Sequence, residues 1–346
     1  MRDKQAGPDV FHKPPARYDE CMAALSDRYD GPVVELRRVA ADDLSSILEE
    51  ETGEWRTSLD WDFRPSADLV RRFVHMQALG GFAFMANAGR APMLAGYSYF
   101  VCEEGKGLIG DLYVMREHRS LETETALLNA VLAAMWHTPG VRRIESQIML
   151  LSSPMERTVP YPKWFRAYPR QFLEIPRESI LSLRPRNLAP FRIVLWTEPW
   201  QEATARLIAR SYLGHIDSQI NDQYRTISGA RRFLTNIVQY PGCGSFFAPA
   251  SYAATDVTGR ELHGISLSSL VASDIGHITQ VCVDPSDRGT GLGYELVRQS
   301  LAALAAHGCR IVSLTVTTAN ESALRLYQRM GFMRRRDFAA YIWERR

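Results

Sequence analysis

Arg288-Gly-Thr-Gly-Leu-Gly293 follows the apolar run Ile278-Thr-Gln-Val-Cys-Val-Asp-Pro285 and opens a helical stretch. A strand, a glycine-rich turn and a helix start in series make an anion site. The first backbone N–H groups of a helix lack intrahelical partners, the dipole is positive there, and glycines let a phosphate approach the main chain. A pyrophosphate-bearing cofactor is the natural occupant. The competing reading is structural, with Gly291 and Gly293 only ending a strand and letting the next helix pack tightly. Neither the three spaced glycines and later acid of a dinucleotide turn nor the Gly-Lys-Ser/Thr of a Walker turn occurs in 286–295.

A second segment narrows the occupant. After a β-branched strand candidate at Ile311 to Thr318 comes Asn320-Glu-Ser-Ala-Leu-Arg-Leu-Tyr-Gln-Arg-Met-Gly-Phe332. The pairing of Arg288-x-x-Gly291-x-Gly293 with Asn320-x-x-Ala323-x-x-Leu326-Tyr327-x-x-x-Gly331-Phe332, one helix and one strand apart, resembles the GNAT superfamily of acyl-CoA-dependent N-acyltransferases. The resemblance implies acetyl-CoA as co-substrate, with its pyrophosphate cradled by Arg288, Gly289, Thr290, Gly291, Leu292 and Gly293. It also implies a pantetheine contact from Asn320, a place for Tyr327 beside the thioester sulfur, and a main-chain N–H from Cys282 or Val283 on the thioester carbonyl.

Composition sets the frame. The chain has 346 residues and is 46% hydrophobic, enough for two cores, so two domains are expected. Lys+Arg at 41 against Asp+Glu at 39 is too balanced for a nucleic-acid coat, and no nucleic-acid partner is expected. Arg334-Arg335-Arg336 reads as a solvated turn. Cys21, Cys102, Cys243, Cys282 and Cys309 are odd in number and scattered, which supports neither a disulfide framework nor a metal site. The start of the chain lacks the apolar core of a signal peptide, and no apolar stretch approaches membrane-spanning length. A cytoplasmic protein without membrane association is expected.

Along the chain, residues 1–32 read as an extension with a short helix near Tyr18 to Leu25. Val33 to Val39 reads as a strand, Ala41 to Glu51 as a helix capped by Asp42 or Asp43, and a further helix follows at Ala67 to Ala78. Strands at 82–87, 93–101 and 107–115, a helix at 116–136 and a strand at 142–150 complete the first half. The same order recurs at 191–196, 201–213, 228–238, 245–255, 262–272, 275–283, 291–307 and 311–317, so we read an internal duplication. The expected fold is α/β of the α+β kind: two tandem GNAT-like domains, 33–185 and 186–346, each a mixed, mainly antiparallel sheet flanked by helices.

The halves differ where chemistry would sit. Aligned on their strand-to-helix junctions, Asp111 to Glu124 lies opposite Gln280 to Gly293, with Glu122 and Glu124 in place of the two glycines. Carboxylates there would repel a pyrophosphate, so the first half is expected to be a degenerate copy without a CoA site. Residues 152–190 carry many prolines in place of an Asn-to-Tyr helix and read in part as a linker. Its aromatics Tyr161, Trp164, Phe165, Tyr168 and Phe172 read as packing between lobes or, alternatively, as substrate-lining groups.

Within the second half each chemical candidate has a bland counterpart. Tyr327, about two turns after Asn320, is the candidate general acid for the departing thiolate or a core tyrosine. Asn320 is also a helix N-cap. His277 holds a strand position that resembles one carrying a glutamate or histidine base in family members, and is otherwise a strand-end histidine. By the resemblance, the loop Gly214 to Arg225 builds the acceptor pocket, with Asp217, Asn221, Asp222 and Tyr224 as substrate contacts; its composition equally suits a solvated loop. The expected activity is N-acetylation of a primary amine on a small molecule or peptide, with His277 or water as base; homodimeric assembly is compatible with it. The rivals are a non-catalytic acetyl-CoA sensor or scaffold and an aminoacyl transferase built from paired GNAT-like lobes.

Overall fold

The computed structural model describes residues 32–88, 91–240 and 242–345. The expected extension helix at Tyr18 to Leu25 lies outside them. The first half runs β1 (Val33–Glu35), α1 (Ser45–Leu59), α2 (Arg64–His75), β2 (Gly80–Ala88), β3 (Ala91–Glu103), β4 (Lys106–Val114), α3 (Leu121–His137) and β5 (Arg143–Ser146). Then come β6 (Phe165–Pro176), α4 (Arg177–Leu181), β7 (Arg192–Leu195), α5 (Gln201–Ser211), α6 (Asp217–Ile220) and α7 (Ile227–Gln239). The chain continues through β8 (Ser245–Phe246), β9 (Tyr252–Thr255), β10 (Leu262–Ala272), β11 (Ile275–Val283), α8 (Leu292–His307), β12 (Ile311–Thr317), α9 (Glu321–Met330) and β13 (Met333–Glu344).

Local expectations fail mainly at ends. Val33 to Val39 is a strand only to Glu35, after which a 3-10 turn takes over. Neither Asp42 nor Asp43 caps α1, whose preceding residues form another 3-10 turn with no side-chain cap.

The larger difference lies in the proline-rich segment. Phe165–Pro176 is a 12-residue strand. Pro169 is tolerated because it lies just past the last β12 pair, Arg170↔Thr317: its carbonyl accepts from Thr318 N–H at 2.9 Å, and only its missing N–H falls where the ladder has ended.

One sheet runs through both halves in the order β1-β2-β3-β4-β5-β13-β6-β12-β11-β10-β9-β7, with β8 on β10. The two middle strands are exchanged. β6 from the first half pairs with β12 of the second, while β13 from the end of the chain pairs with β5 of the first, and β6 and β13 pair antiparallel along Met333 to Trp343. Each half therefore completes the other's sheet, and neither lobe closes without its partner's strand.

Period-two alternation on β6 assigns the two faces. Phe165 and Ala167 pack on α3, and Leu173 and Ile175 on α8 and α9, whereas Phe172 joins the core beneath α1 and α2. The second lobe's remaining core holds α5 and α7 against Ala253, Ile265 and Leu267. Helices α1, α2, α5 and α7 thus share one face, and α3, α8 and α9 the other.

The lobes also dock reciprocally. Asp60, at the end of α1, pairs with Arg310 at the start of β12, and Asp222, beyond α6, pairs at 2.6 Å with Lys106 at the start of β4.

Candidate functional site

The parallel pair β11·β12 is joined only from Ile275↔Ile311 to Ile278↔Leu314. Beyond it the strands separate, and Thr279 is an extra residue in β11, since Leu267 pairs with Gln280 and Ser268 with Ile278. The opening exposes main chain. Asp284 N–H goes to His263 O at 2.7 Å, so by two-residue alternation Cys282 N–H also faces β10, while Val281 and Val283 face the gap. Tyr212 Oη on Val281 O at 3.2 Å and Ser211 Oγ on Val283 O at 3.3 Å agree with this. The expected carbonyl donor pair is thereby corrected at one member: Cys282 turns its N–H away, and its buried thiol is pushed up to about 12 by desolvation.

Above the gap, the turn to α8 has the geometry its glycines require. Gly289 has φ +83° and Gly291, the helix N-cap, has φ +94°, where L side chains are strained. The side chain of Gly291's successor, Leu292, is buried, and a Cβ added at Gly293 would meet only ordinary contacts with Val283 and Leu326. Thr290 Oγ1 donates to Asp287 O at 2.7 Å and braces the turn. The cradle fits a phosphate group. Arg288 sends Nη2 to Ser211 O at 2.6 Å, which ties the turn to the end of α5.

A cation that sequence reasoning passed over stands at the same place. Arg186 Nη1 lies 3.1 Å from where a Gly291 Cβ would be, its guanidinium is 4.6 Å from the Tyr294 ring centroid, and its backbone N–H donates to Glu295 Oε2 at 2.9 Å.

At the lower end, Asn320 caps α9, its Oδ1 accepting from Ala323 N at 3.3 Å, which leaves the amide NH2 for other use. Tyr327 is buried, and desolvation first and the Asp217 carboxylate second hold its hydroxyl well above the ordinary phenol range. Asp217 Oδ1 accepts from Thr317 Oγ1, which joins α6 to the end of β12.

The other loop residues divide. Tyr224 is stacked on Tyr212 at 4.4 Å, and its hydroxyl donates to Gln280 Oε1 at 3.1 Å while Gln280 Nε2 donates to Tyr212 Oη at 2.7 Å. Asn221 caps the turn that follows it through Gln223 N. Asp222 is engaged by Lys106 and sits against Arg143, so its observed contacts are ties between lobes.

His277 is placed apart from these groups. It lies in the paired part of the ladder, opposite Ser269 and Ser313, with Nδ1 2.8 Å from Ser313 Oγ and its ring between Trp61 of the first lobe and Phe172. Burial, aided by Arg170, lowers its pKa to about 4. It is a packed, neutral imidazole in the paired ladder below the opening.

Arg170, on β6, was not foreseen either. Its guanidinium bonds Gln147 of the first lobe and Thr315 of β12 and lies 5.6 Å from the Phe338 ring, with Nε buried and unpartnered among the described residues. Two residues along the same face, Tyr168 Oη meets Gln219 Oε1 at 2.9 Å and borders a cleft of about 390 Å³. No sequence motif marks Arg170, because a strand expected as linker hides its neighbours.

Residues 232–332 match the Acetyltransferase (GNAT) family. A mycothiol acetyltransferase of Acidimicrobium ferrooxidans is 30% identical over 173 residues, 49% of this chain and 51% of that protein. The match thus spans about half the length of that relative. A GCN5-related N-acetyltransferase from Sphaerobacter thermophilus superposes with TM-score 0.62 at 17% identity, covering 90% of this chain and 96% of that one. A tandem GNAT protein from the clavulanic acid biosynthesis pathway does so with TM-score 0.54 at 15% identity, over 90% and 98% of the two chains. The chain therefore has the tandem GNAT fold, and its second lobe carries a GNAT acetyltransferase family domain.

Proposed function

We propose that the chain is an N-acetyltransferase whose second lobe moves the acetyl group of acetyl-CoA directly to a primary amine. The observation that carries the proposal is the opening between β11 and β12, with a left-handed glycine cradle above it and Asn320, Tyr327 and Asp217 at its other end. The lobes divide at 185/186 in sequence, and the first supports the second by strand exchange and by seating the α6 loop. Acetyl-CoA supplies the thioester.

In this reading the cradle N–H groups and Arg186 bind the pyrophosphate, and Asn320 Nδ2 donates to the pantetheine arm. Val281 or Val283 N–H donates to the thioester oxygen as its charge grows. Asp217 receives the ammonium form of the acceptor and takes its proton, directly or through water, so that the neutral nitrogen attacks the carbonyl carbon. The carbon–sulfur bond breaks, Tyr327 Oη, kept protonated by burial, gives its proton to the departing sulfur, and the surplus proton of the attacking nitrogen is lost to the phenolate, directly or through water, leaving amide and free thiol. Asn221 and Asp222 position the loop, Tyr224 holds Gln280 against the bulge, and His277 packs the floor.

A relative bears the name mycothiol acetyltransferase, and a small-molecule or peptide amine is the acceptor class proposed here. Thiol release from acetyl-CoA over a panel of amines tests the activity. Turnover that falls on Tyr327→Phe and Asp217→Asn supports the assignment. Tight acetyl-CoA binding with no thiol release over the panel would favour a non-catalytic sensor.

A further inference from the structure

A cleft lies beyond Tyr168 on the same face of β6 as Arg170, and its charge pattern names a chemistry. The floor is one face of β6, on which Arg166, Tyr168 and Arg170 follow one another every second residue, with Ile342 of β13 beside Arg166. Arg170 pairs with Thr317 across the β12 ladder, and Thr317 holds Asp217, so this end of the row is the reacting end. Arg166 is four residues away, roughly 13 Å along an extended strand.

At the far end stand Arg166, Lys163, Arg225 and the carboxylate of Glu344. The Glu344 carboxylate is already engaged, with Arg225 at 3.0 Å and Arg143 at 2.9 Å. Arg225 is also held through Nε on Ser218 O at 2.8 Å. Among the described residues Arg166 has neither a side-chain hydrogen bond nor an ion pair, and the Lys163 ammonium has only the Trp164 ring, at 5.3 Å. Two cations are thus left facing the cleft, with Trp164 and Tyr168 as flat walls.

We propose that this cleft is an anion subsite of the acceptor, and that the acceptor is an elongated amine bearing an oxyanion, carboxylate or phosphate, roughly 13 Å from its reacting nitrogen. Arg166 presents a fork of donors to such a group and Lys163 a point charge. Asp217 selects the ammonium at one end, and the unengaged pair selects the anion at the other. A neutral amine of the same length would gain only the first contact. The inference rests on the acetyltransferase reading and adds the substrate class to it.

The test uses the full chain and terminal amines of matched length ending in a carboxylate, a phosphate, a methyl group or a second ammonium. Steady-state thiol release gives kcat/KM for each, and calorimetry on the same protein reports acetyl-CoA binding separately. The expected result is a preference of roughly tenfold or more for an anionic series over the methyl-ended amine, lowest activity with the diamine, and loss of most of that preference in Arg166→Ala. Arg166→Lys should restore part of it, and the better of the carboxylate and phosphate arms identifies the group. Anionic and methyl-ended amines turned over equally, or a preference that Arg166→Ala and Lys163→Ala leave intact, would overturn the subsite. Failure to bind acetyl-CoA would instead overturn the activity on which it rests.

Discussion

The two lobes build the same junction from different turns. In the second lobe three residues lie between Arg288 and Leu292, the first residue of α8; in the first lobe only Ser120 lies between Arg119 and Leu121, the first of α3. The helix start of the first lobe is therefore two residues tighter, and its N-cap is Ser120, whose hydroxyl occupies Thr123 N–H at 3.1 Å in a capping box. The structural partner of Gly291 is Ser120, and that of Gly293 is Glu122. Glu124 corresponds to Glu295, and both are buried acids paired with arginines, Arg157 and Arg298. The first lobe thus lacks the cradle because its loop is missing, and only secondarily because an acid stands near it.

The opening beneath differs as well. β4 parts from β5 after Ile109↔Ser146, as β11 parts from β12, and Gly110 is the bulge residue matching Thr279. There the gap is filled. A Cβ on Gly110 would lie 2.0 Å from the Tyr99 ring, and Ile148, Leu151 and Val159 pack into the core where the second lobe has its capped helix α9. Asp111 stands where Gln280 stands, buried with Glu51, which is bonded by Tyr97 Oη at 2.7 Å and Trp55 Nε1 at 3.2 Å. Burial raises both carboxyls. One scaffold supports an open gap with amides and tyrosines, or a closed core with a buried carboxyl pair.

This contrast can be broken at graded cost. The largest effect belongs to Gly291→Glu, which puts a side chain at φ +94° and an anion in the cradle: acetyl-CoA affinity should fall by about two orders of magnitude in calorimetry while circular dichroism shows a folded chain. Retained affinity in that folded variant would show that the turn is not the site. Tyr327→Phe should lower kcat by about a hundredfold with little change in the KM for acetyl-CoA.

Acid should weaken the fold through His277. Its folded pKa near 4 lies below the unfolded value near 6.5, so the unfolded chain binds the proton first and stability is lost as pH falls from 6.5 to 4. The loss is on the order of 3 kcal/mol, and His277→Gln should flatten that part of the pH profile in urea unfolding. An unchanged slope would mean that His277 is not held neutral.

The first lobe's carboxyl pair has the opposite sign. Its raised folded pKa favours the native state at low pH, and the contribution disappears as pH rises through that value. Glu51→Gln should therefore reduce the fall in stability as pH rises above the ordinary carboxylate range, read by urea unfolding across pH. Ser120→Ala is the smallest change, about 1 kcal/mol of thermal or chemical stability from the lost cap and no effect on acetyl-CoA binding.

Much of this was legible in the chain. β10 to β12 and α8 are bounded closely because their apolar periods are long and end at turn residues; the cradle reads from Gly291 and Gly293, whereas the left-handed positions are Gly289 and Gly291. The strand exchange was hidden: seven prolines in 152–190 mask the strand Phe165–Pro176, and only the short β12 ladder shows why Pro169 is harmless. His277 has the right residue type at a plausible strand position, yet the opening starts two residues later, at Thr279, a boundary set by tertiary pairing. Arg186 and Arg170 act from segments that read as linker. Asp217 was one of four polar loop residues, and only its contact with Thr317 separates it from Asp222.

The central claim is two copies of the scaffold with one working cradle, and the stoichiometry of acetyl-CoA binding tests it most directly. Isothermal titration of the full chain should give one site per chain, weakened about a hundredfold by Gly291→Glu and untouched by Ser120→Ala. Two sites per chain, or one site whose affinity Gly291→Glu leaves unchanged, would contradict it.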